Sequence, residues 1–467
     1  MSPPIHFAVV AAVNRGKSSI VSTLAENDSI RISPSPGTTR EARSYPVVVD
    51  DETLFVLTDT PGFERARELL AWIERERGPE GSPGSVLERF VREHRDDSGF
   101  RAECELLAPI LGGAAVLYVV DGAVPFRDHM RAEMEILRWA APLRVALINR
   151  RGEHLEGWKG ELRAHFQMVR EFDAQRVGFG ERIGLLRGLR EVNEGHWREG
   201  LQRIVEALEL DWKRRRRRSA RIIADLVAKS IVHGLRVPIP SGDDPEDHQA
   251  RLTKRFHDDL RKLEEKARVE IEALYKHARL EHAEAADRPV WEEDLFDPAR
   301  WEPLGLAPRQ LLALGATLGA VTGGAVDVAV GGASFMLGAV LGAAMGAGGA
   351  LWRSGQPIAS VEGLRGLVRG DRLLRIGPHP NPNFPFVLLD ANLLHWTAIR
   401  ERAHAERSTL VLERAGEKEG PSSALGAGER KALSKCFAGV RKRAPRVDPS
   451  ARDLLAEKVE GLMGRLE

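Results

Sequence analysis

The stretch that decides the fold is Ile5-His-Phe-Ala-Val-Val-Ala-Ala-Val-Asn-Arg-Gly-Lys-Ser-Ser19. Its first half, Ile5 to Ala12, is an apolar run of strand length and strand composition. A helical pattern follows from Ile20. Strand, glycine-containing loop and helix, in that order, are the context that a phosphate-binding loop requires. The backbone N–H groups of such a loop point at an anion, and the helix adds the positive end of its dipole. Asn14, Arg15, Gly16, Lys17, Ser18 and Ser19 then form the cradle, with Lys17 reaching the β and γ phosphates and Ser18 ligating Mg²⁺. One position departs from the pattern. Ala11 stands where a first glycine is usual, and its methyl crowds the turn.

Working outward, Pro36-Gly37-Thr38-Thr39-Arg40 is a polar loop whose hydroxyls can complete a Mg²⁺ shell and sense a γ phosphate. The run Thr53-Leu-Phe-Val-Leu-Thr58 reads as a buried strand and ends in Asp59-Thr60-Pro61-Gly62. Asp59 at that strand end can hold the metal through water, and the Gly62 N–H can meet the γ phosphate. Two more strands are expected at Ala114 to Val120, ending at Asp121, and at Arg144 to Ile148, ending at Asn149. Phe63 to Arg77 and Ser85 to His94 read as helices, an insertion spanning about 63–112 where a simple domain of this kind needs one helix.

These motifs together resemble the Era-like members of the translation-factor class of GTPases. The resemblance implies an α/β P-loop GTPase domain, a mostly parallel sheet with helices on both faces, that binds GTP or GDP with Mg²⁺ and hydrolyses GTP. It makes Lys17, Thr39 and Gly62 the catalytic positions, with Thr38 the fallback for Thr39, and Ser18, Thr39 and Asp59 the Mg²⁺ positions. Asn14 matches the asparagine that holds K⁺ beside the phosphates in potassium-activated relatives. Phe63 replaces a water-orienting glutamine, so catalytic help must come from elsewhere. Base recognition departs from the family. Its Asn-Lys-x-Asp signal reads Asn149-Arg150-Arg151-Gly152 here, with Glu153 one residue late. Losing a bidentate acceptor weakens base selection. Asp173-Ala174 falls in the family's Ser-Ala slot.

The chain has 467 residues, enough for two to four domains at about 150 residues each. Lys plus Arg (69) nearly cancels Asp plus Glu (68), so the whole protein carries no strong pull toward nucleic acid. The two cysteines, Cys104 and Cys436, are too few for a disulfide framework and suit a reducing cytosol. The N-terminus has neither the basic nor the long apolar region of a secretory signal. Four regions are expected: the GTPase domain over 1–210; a basic linker, Lys213 to Arg218, and long charged helices over 211–300; an apolar hairpin over 301–353; and a mixed domain over 354–467.

The hairpin expectation rests on glycine spacing. Arg309 and Asp327 bracket 17 uncharged residues, and Asp327 and Arg353 bracket 25 more. Gly315, Gly319 and Gly323, then Gly338, Gly342 and Gly346, recur every fourth residue, a glycine-zipper pattern that lets two helix backbones approach. Each arm is long enough for the hydrocarbon core, and Arg300, Arg309 and Arg353 put both ends on the cytoplasmic side. Residues 310–352 are therefore expected to associate the chain with lipid at the inner membrane; a soluble helical hairpin is the alternative. Within the mainly helical C-terminal part, Leu252, Phe256, Leu260, Leu263, Ala267, Ile271 and Leu274 form a coiled-coil-type stripe suited to packing or a homodimer. A break is expected at Pro238-Ile-Pro-Ser-Gly242, and a strand at Phe386 to Leu389. His379, His395 and His404 lack metal-ligand spacing and read as surface or structural.

The layout resembles bacterial GTPases fused to a C-terminal domain of unknown function. The reading is a GTP-binding and hydrolysing switch at the cytoplasmic face of the inner membrane. The alternatives are an RNA or ribosome-assembly GTPase and a nucleotide-binding protein with little hydrolysis.

Overall fold

The computed structural model describes residues 4–11, 16–30, 41–77, 82–149, 152–240, 243–277, 280, 304–306, 310, 359–363, 372–406, 420–442 and 444–467. The chain forms two compact units. The first comprises residues 1–213 with two later returns, 275–279 and 400–408; the second comprises the rest.

In the first unit, β1 (Ile5–Val10) leads to α1 (Lys17–Ala25), and β2 (Arg43–Val49) to β3 (Glu52–Asp59). Three helices follow: α2 (Ala66–Glu76), α3 (Pro83–His94) and α4 (Arg101–Leu111). Then come β4 (Ala115–Asp121), α5 (His129–Ala140), β5 (Arg144–Asn149), α6 (Leu155–Arg163), β6 (Met168–Glu171) and α7 (Phe179–Glu191). The sheet order is β2-β3-β1-β4-β5-β6, parallel except where β2 meets β3. The central strands are apolar throughout because both faces are covered. Phe7 and Val9 pack toward α1 and α7, while Ala8 and Val10 pack toward α2 to α6. This is the α/β fold expected of a P-loop GTPase. The register aligns Val9 with Asp59 and Asp121 with Asn149, so the carboxyl ends of β1, β3, β4 and β5 gather at one edge. In open α/β sheets that edge is where ligands bind.

Next, α8 (Gly195–Val232) carries the chain from the first unit into the second. The basic block Lys213 to Arg218 lies inside this helix and is not an open linker. Arg215 is buried, Arg216 pairs with Glu467, and Arg217 lies 3.4 Å from Glu460.

The second unit adds β7 (Leu235–Ile239), α9 (Pro245–Leu274), β8 (Ala359–Gly363), β9 (Arg372–Ile376), α10 (Phe384–Glu401), α11 (Ala427–Arg441) and α12 (Pro449–Met463). The helical pattern breaks around Pro238 as expected, and the break contains a short strand between α8 and α9. β7 is an edge strand paired antiparallel to β9, and an edge tolerates a residue with no N–H. The expected strand at Phe386 to Leu389 is instead part of α10. That run is buried on every side of the helix, so it shows no amphipathic period and reads like a buried strand. Of the α9 stripe, Leu252, Phe256, Leu260, Ala267 and Ile271 are buried. The glycine-zipper stretch lies outside the described residues except for Gln310. Among the described residues, no helix is long and apolar enough to cross a membrane.

Asp390, fully buried on α10, holds two loops of the second unit. Its carboxylate accepts the Gly305 N–H and the Ser422 N–H, each at 2.8 Å. A Cβ at Gly420 would lie 2.1 Å from a carboxylate oxygen, so the loop packs directly on it. Burial pushes this carboxyl up to about 6, with the bonds from Ser422 and Gly305 holding it back. A raised acid favours the folded chain while protonated, so this contribution is fully present below the unfolded Asp value and is lost as pH rises through the folded one. Stability should therefore fall between about pH 4 and pH 6 from this group. Asp390→Asn should be less stable overall but flatter across that window. Melting of both full-length proteins from pH 4 to 7 checks this, and an identical slope in the two would refute it.

Candidate functional site

Gly16 ends the loop after β1 and caps α1. Its φ of +87° is left-handed, and a Cβ there would come within 2.2 Å of Asn149 Nδ2. Both the backbone angle and the lack of space demand glycine. Lys17 begins the helix, buried, and its Nζ donates to the Ala11 carbonyl at 3.4 Å. Burial lowers its pKa, and the carboxylates of Asp59 and Glu133 oppose that. Ala11 itself is fully buried, so its methyl is accommodated.

Ser18 Oγ donates to Asp59 Oδ2 at 3.0 Å, across 41 residues of sequence. Thr60 Oγ1 donates to the Val9 carbonyl at 2.9 Å and locks the end of β3 against β1. A hydroxyl and a carboxylate side by side at a helix N-terminus make a hard oxygen donor set, which fits Mg²⁺. Ser18 would ligate it directly and Asp59 through water. Phe63 is buried in the core beneath α2 to α6 and presents no polar group. Asn14, Arg15 and Thr39 lie outside the described residues, as do Arg150 and Arg151.

At the base-recognition end, Asn149 is buried and its Oδ1 accepts the Ala174 N–H at 3.1 Å. Thr23 Oγ1 donates to the Ala174 carbonyl at 2.7 Å, fixing this loop from α1. Asp173 turns back on its own loop, accepting from Gln175 N at 3.1 Å. The structure gives a reason for Gly152. A Cβ there would sit 2.5 Å from Ala123 Cα and 2.6 Å from the Gly122 carbonyl oxygen. Both are backbone atoms, so no aspartate fits in this conformation.

Two functional candidates escaped the sequence reading. Glu103 on α4 is fully buried, and its Oε1 accepts the N–H groups of Glu64 at 2.8 Å and Arg65 at 2.6 Å, just after Gly62. Its Oε2 is buried without a hydrogen-bond partner among the described residues. From the same helix, Glu105 accepts the Ala42 N–H at 3.2 Å and Arg101 pairs with Glu41 at 3.0 Å. α4 therefore grips the chain directly after Arg40 and just after Gly62, the ends of the two stretches expected to sense phosphate. Glu133 on α5 is buried near Lys17 and accepts from Tyr118 Oη at 2.8 Å. The signal was in the sequence: Glu103 shares a stripe with Leu106, Leu107 and Ile110, and Glu133 with Met130, Met134 and Leu137. A carboxylate on an apolar helix stripe must be satisfied inside the protein.

Comparison with known proteins agrees with this layout. Residues 6–146 match the family described as 50S ribosome-binding GTPase, and residues 160–460 match a domain of unknown function, DUF3482. Among curated proteins, GTPase Der of Mycoplasma pneumoniae is 33% identical over 73 residues, 16% of each chain. GTPase Der of Protochlamydia amoebophila is 37% identical over 95 residues, 19% of each chain. The matched stretch thus spans less than a fifth of those relatives. Two solved structures are similar: a variant of Aquifex aeolicus Era bound to GDP and AlF₄⁻, and Era with MgGDPNP and a stretch of 16S ribosomal RNA. Each is 15% identical, with 58% of this chain and 88% of that chain covered and a TM-score of 0.23. Because the second family match spans well over half of its residues, the chain belongs to the DUF3482 family, carrying that domain behind a P-loop GTPase domain.

Proposed function

We propose that the chain is a GTP-binding, GTP-hydrolysing switch. The observation that carries this reading is the convergence of Lys17, Ser18 and Asp59 at the N-terminus of α1 and the end of β3. Bound Mg²⁺ would neutralise charge between the β and γ phosphates. Lys17 places its ammonium beside the same oxygens, and its burial keeps that charge poorly screened by water. Guanine selection has no carboxylate at 152, so Asn149 and the Ala174 loop carry what selection there is. Lys17→Ala should weaken nucleotide binding by about 100-fold or more, the worth of a charge-assisted contact. Unchanged GTP affinity and turnover in that variant would overturn the site.

The grip of α4 favours switch behaviour over passive nucleotide binding. When loop 31–40 and the Gly62 turn respond to a γ phosphate, both responses reach α4, through Glu41 and Ala42 on one side and Glu64 and Arg65 on the other. Glu103 is a positioning residue in this scheme. Glu103→Ala should lower kcat about 10- to 100-fold, because a small misplacement of the turn is enough, with little change in GDP affinity. Glu103→Gln keeps an acceptor and should recover much of the loss. If kcat holds in the alanine variant, Glu103 serves only the fold.

We further read residues 310–352 as the part that meets lipid, from their glycine spacing and the absence of any charged residue but Asp327. The description of the matched GTPase family favours a ribosomal partner as the second reading. Fractionation of the full-length chain and a variant lacking 309–353, each washed with high salt and then carbonate, separates them. Carbonate-resistant membrane retention by the full-length chain alone is expected. Co-sedimentation of both forms with ribosomal particles would replace the lipid reading.

A further inference from the structure

Three buried side chains from distant parts of the sequence meet within the first unit. Asp28 lies just past α1, His277 just past α9 and His404 just past α10. His404 Nδ1 lies 2.6 Å from Asp28 Oδ1, and His277 Nδ1 lies 3.3 Å from Oδ2. The two imidazole rings stack with centroids 4.2 Å apart and planes 15° apart. One potential ligand atom from each of the three lies within 4.8 Å of the others. Side-chain exposure is 2% for His277, 4% for His404 and 6% for Asp28.

We propose that Asp28, His277 and His404 form a binding site for a first-row divalent transition-metal ion of the Zn²⁺ class. The donor set is two imidazole nitrogens and one carboxylate oxygen, which suits that class and leaves a fourth position for water. Each Nδ1 lies within hydrogen-bond distance of the carboxylate, and a bound metal would take the place of the shared protons there and release them. Both rings turn the same nitrogen, Nδ1, toward the carboxylate, and a cation between them would engage all three at once.

The surroundings hold these ligands in place, as outer partners do in metal sites. Ser22 Oγ donates to the His404 carbonyl at 3.1 Å, and the Ala405 N–H donates to Thr23 Oγ1 at 3.2 Å. Next to His277, Lys276 pairs with Glu26 at 3.3 Å, and Arg182 pairs with the same carboxylate at 3.0 Å. A metal here would staple the two returning segments, 275–279 and 400–408, onto the end of α1. Its binding energy would add directly to the stability of that junction.

The test uses the full-length chain, stripped with a chelator and then titrated with Co²⁺ in excess Mg²⁺ and GDP, so that the nucleotide site takes no cobalt. The expected result is an intense visible absorption typical of four-coordinate cobalt, saturating at about one equivalent and displaced by Zn²⁺. His277→Gln, His404→Gln and Asp28→Asn should each lose the band while keeping the far-ultraviolet circular dichroism of the parent. Should all three misfold, elemental analysis of the untreated parent after dialysis decides, with about one equivalent of bound metal expected. A parent chain that shows no band and retains no metal would overturn the site and leave a hydrogen-bonded triad. A band that survives all three substitutions would overturn it equally.

Discussion

The phosphate end depends on one close approach, that of Gly16 to Asn149. A left-handed residue without a Cβ lets Gly16 lie directly against the end of β5. The Asn149 side chain fills that space and at the same time takes the Ala174 N–H. Gly16 and the loop that would meet the base are thus fixed by one side chain. Any substitution at Gly16 would push Asn149 away and release both. The sheet makes this possible, because its parallel register brings Val10, Asp59, Asp121 and Asn149 to the same edge. Ser18 and Asp59 can meet only because β1 and β3 are neighbours.

A second constraint is the satisfaction of buried acids. Glu103 is completely removed from water and spends one oxygen on two backbone N–H groups at the turn after Gly62. Those N–H groups lie just before α2, beside the positive end of its dipole. A carboxylate there is favourable to the helix and fixes the turn that precedes it. Because Glu105 and Arg101 act from the same helix on Glu41 and Ala42, α4 is a single rigid body shared by the two mobile parts expected of a switch.

The first unit was legible in the sequence because its signals are local. A glycine loop between a strand and a helix, an Asp at one strand end and an Asn at the end of a later strand each name their own neighbours. Gly152 was legible as a departure but not as a necessity, since the close Gly122–Ala123 backbone is a tertiary fact. The second unit was read less well. α10 is buried on all sides, so periodicity gave no helix, and Pro238 concealed an edge strand. The histidines were the largest loss. His277 and His404 are 127 positions apart in the chain, and each meets Asp28 only through the fold, so no spacing rule could join them.

Two buried aspartates show how far environment decides what a side chain can do. Burial alone raises both. At Asp390 the opposing partners are Ser422 and the Gly305 N–H, which are dipoles, and burial wins. At Asp28 the opposing partners are hydrogen bonds from His277 and His404, and they outweigh burial and hold the carboxyl well below its usual range. Asp390 therefore holds its loops with a carboxyl that loses its charge on acidification sooner than an ordinary aspartate. Asp28 stays anionic across physiological pH, which is the state a metal ligand requires. The difference lies in which segments return to each carboxylate. At Asp28 those segments come, among the described residues, from 275–277 and 400–406, which lie far past residue 213 and fold into the first unit. A cation held there would tie the stability of the nucleotide-binding unit to the presence of the domain that follows it.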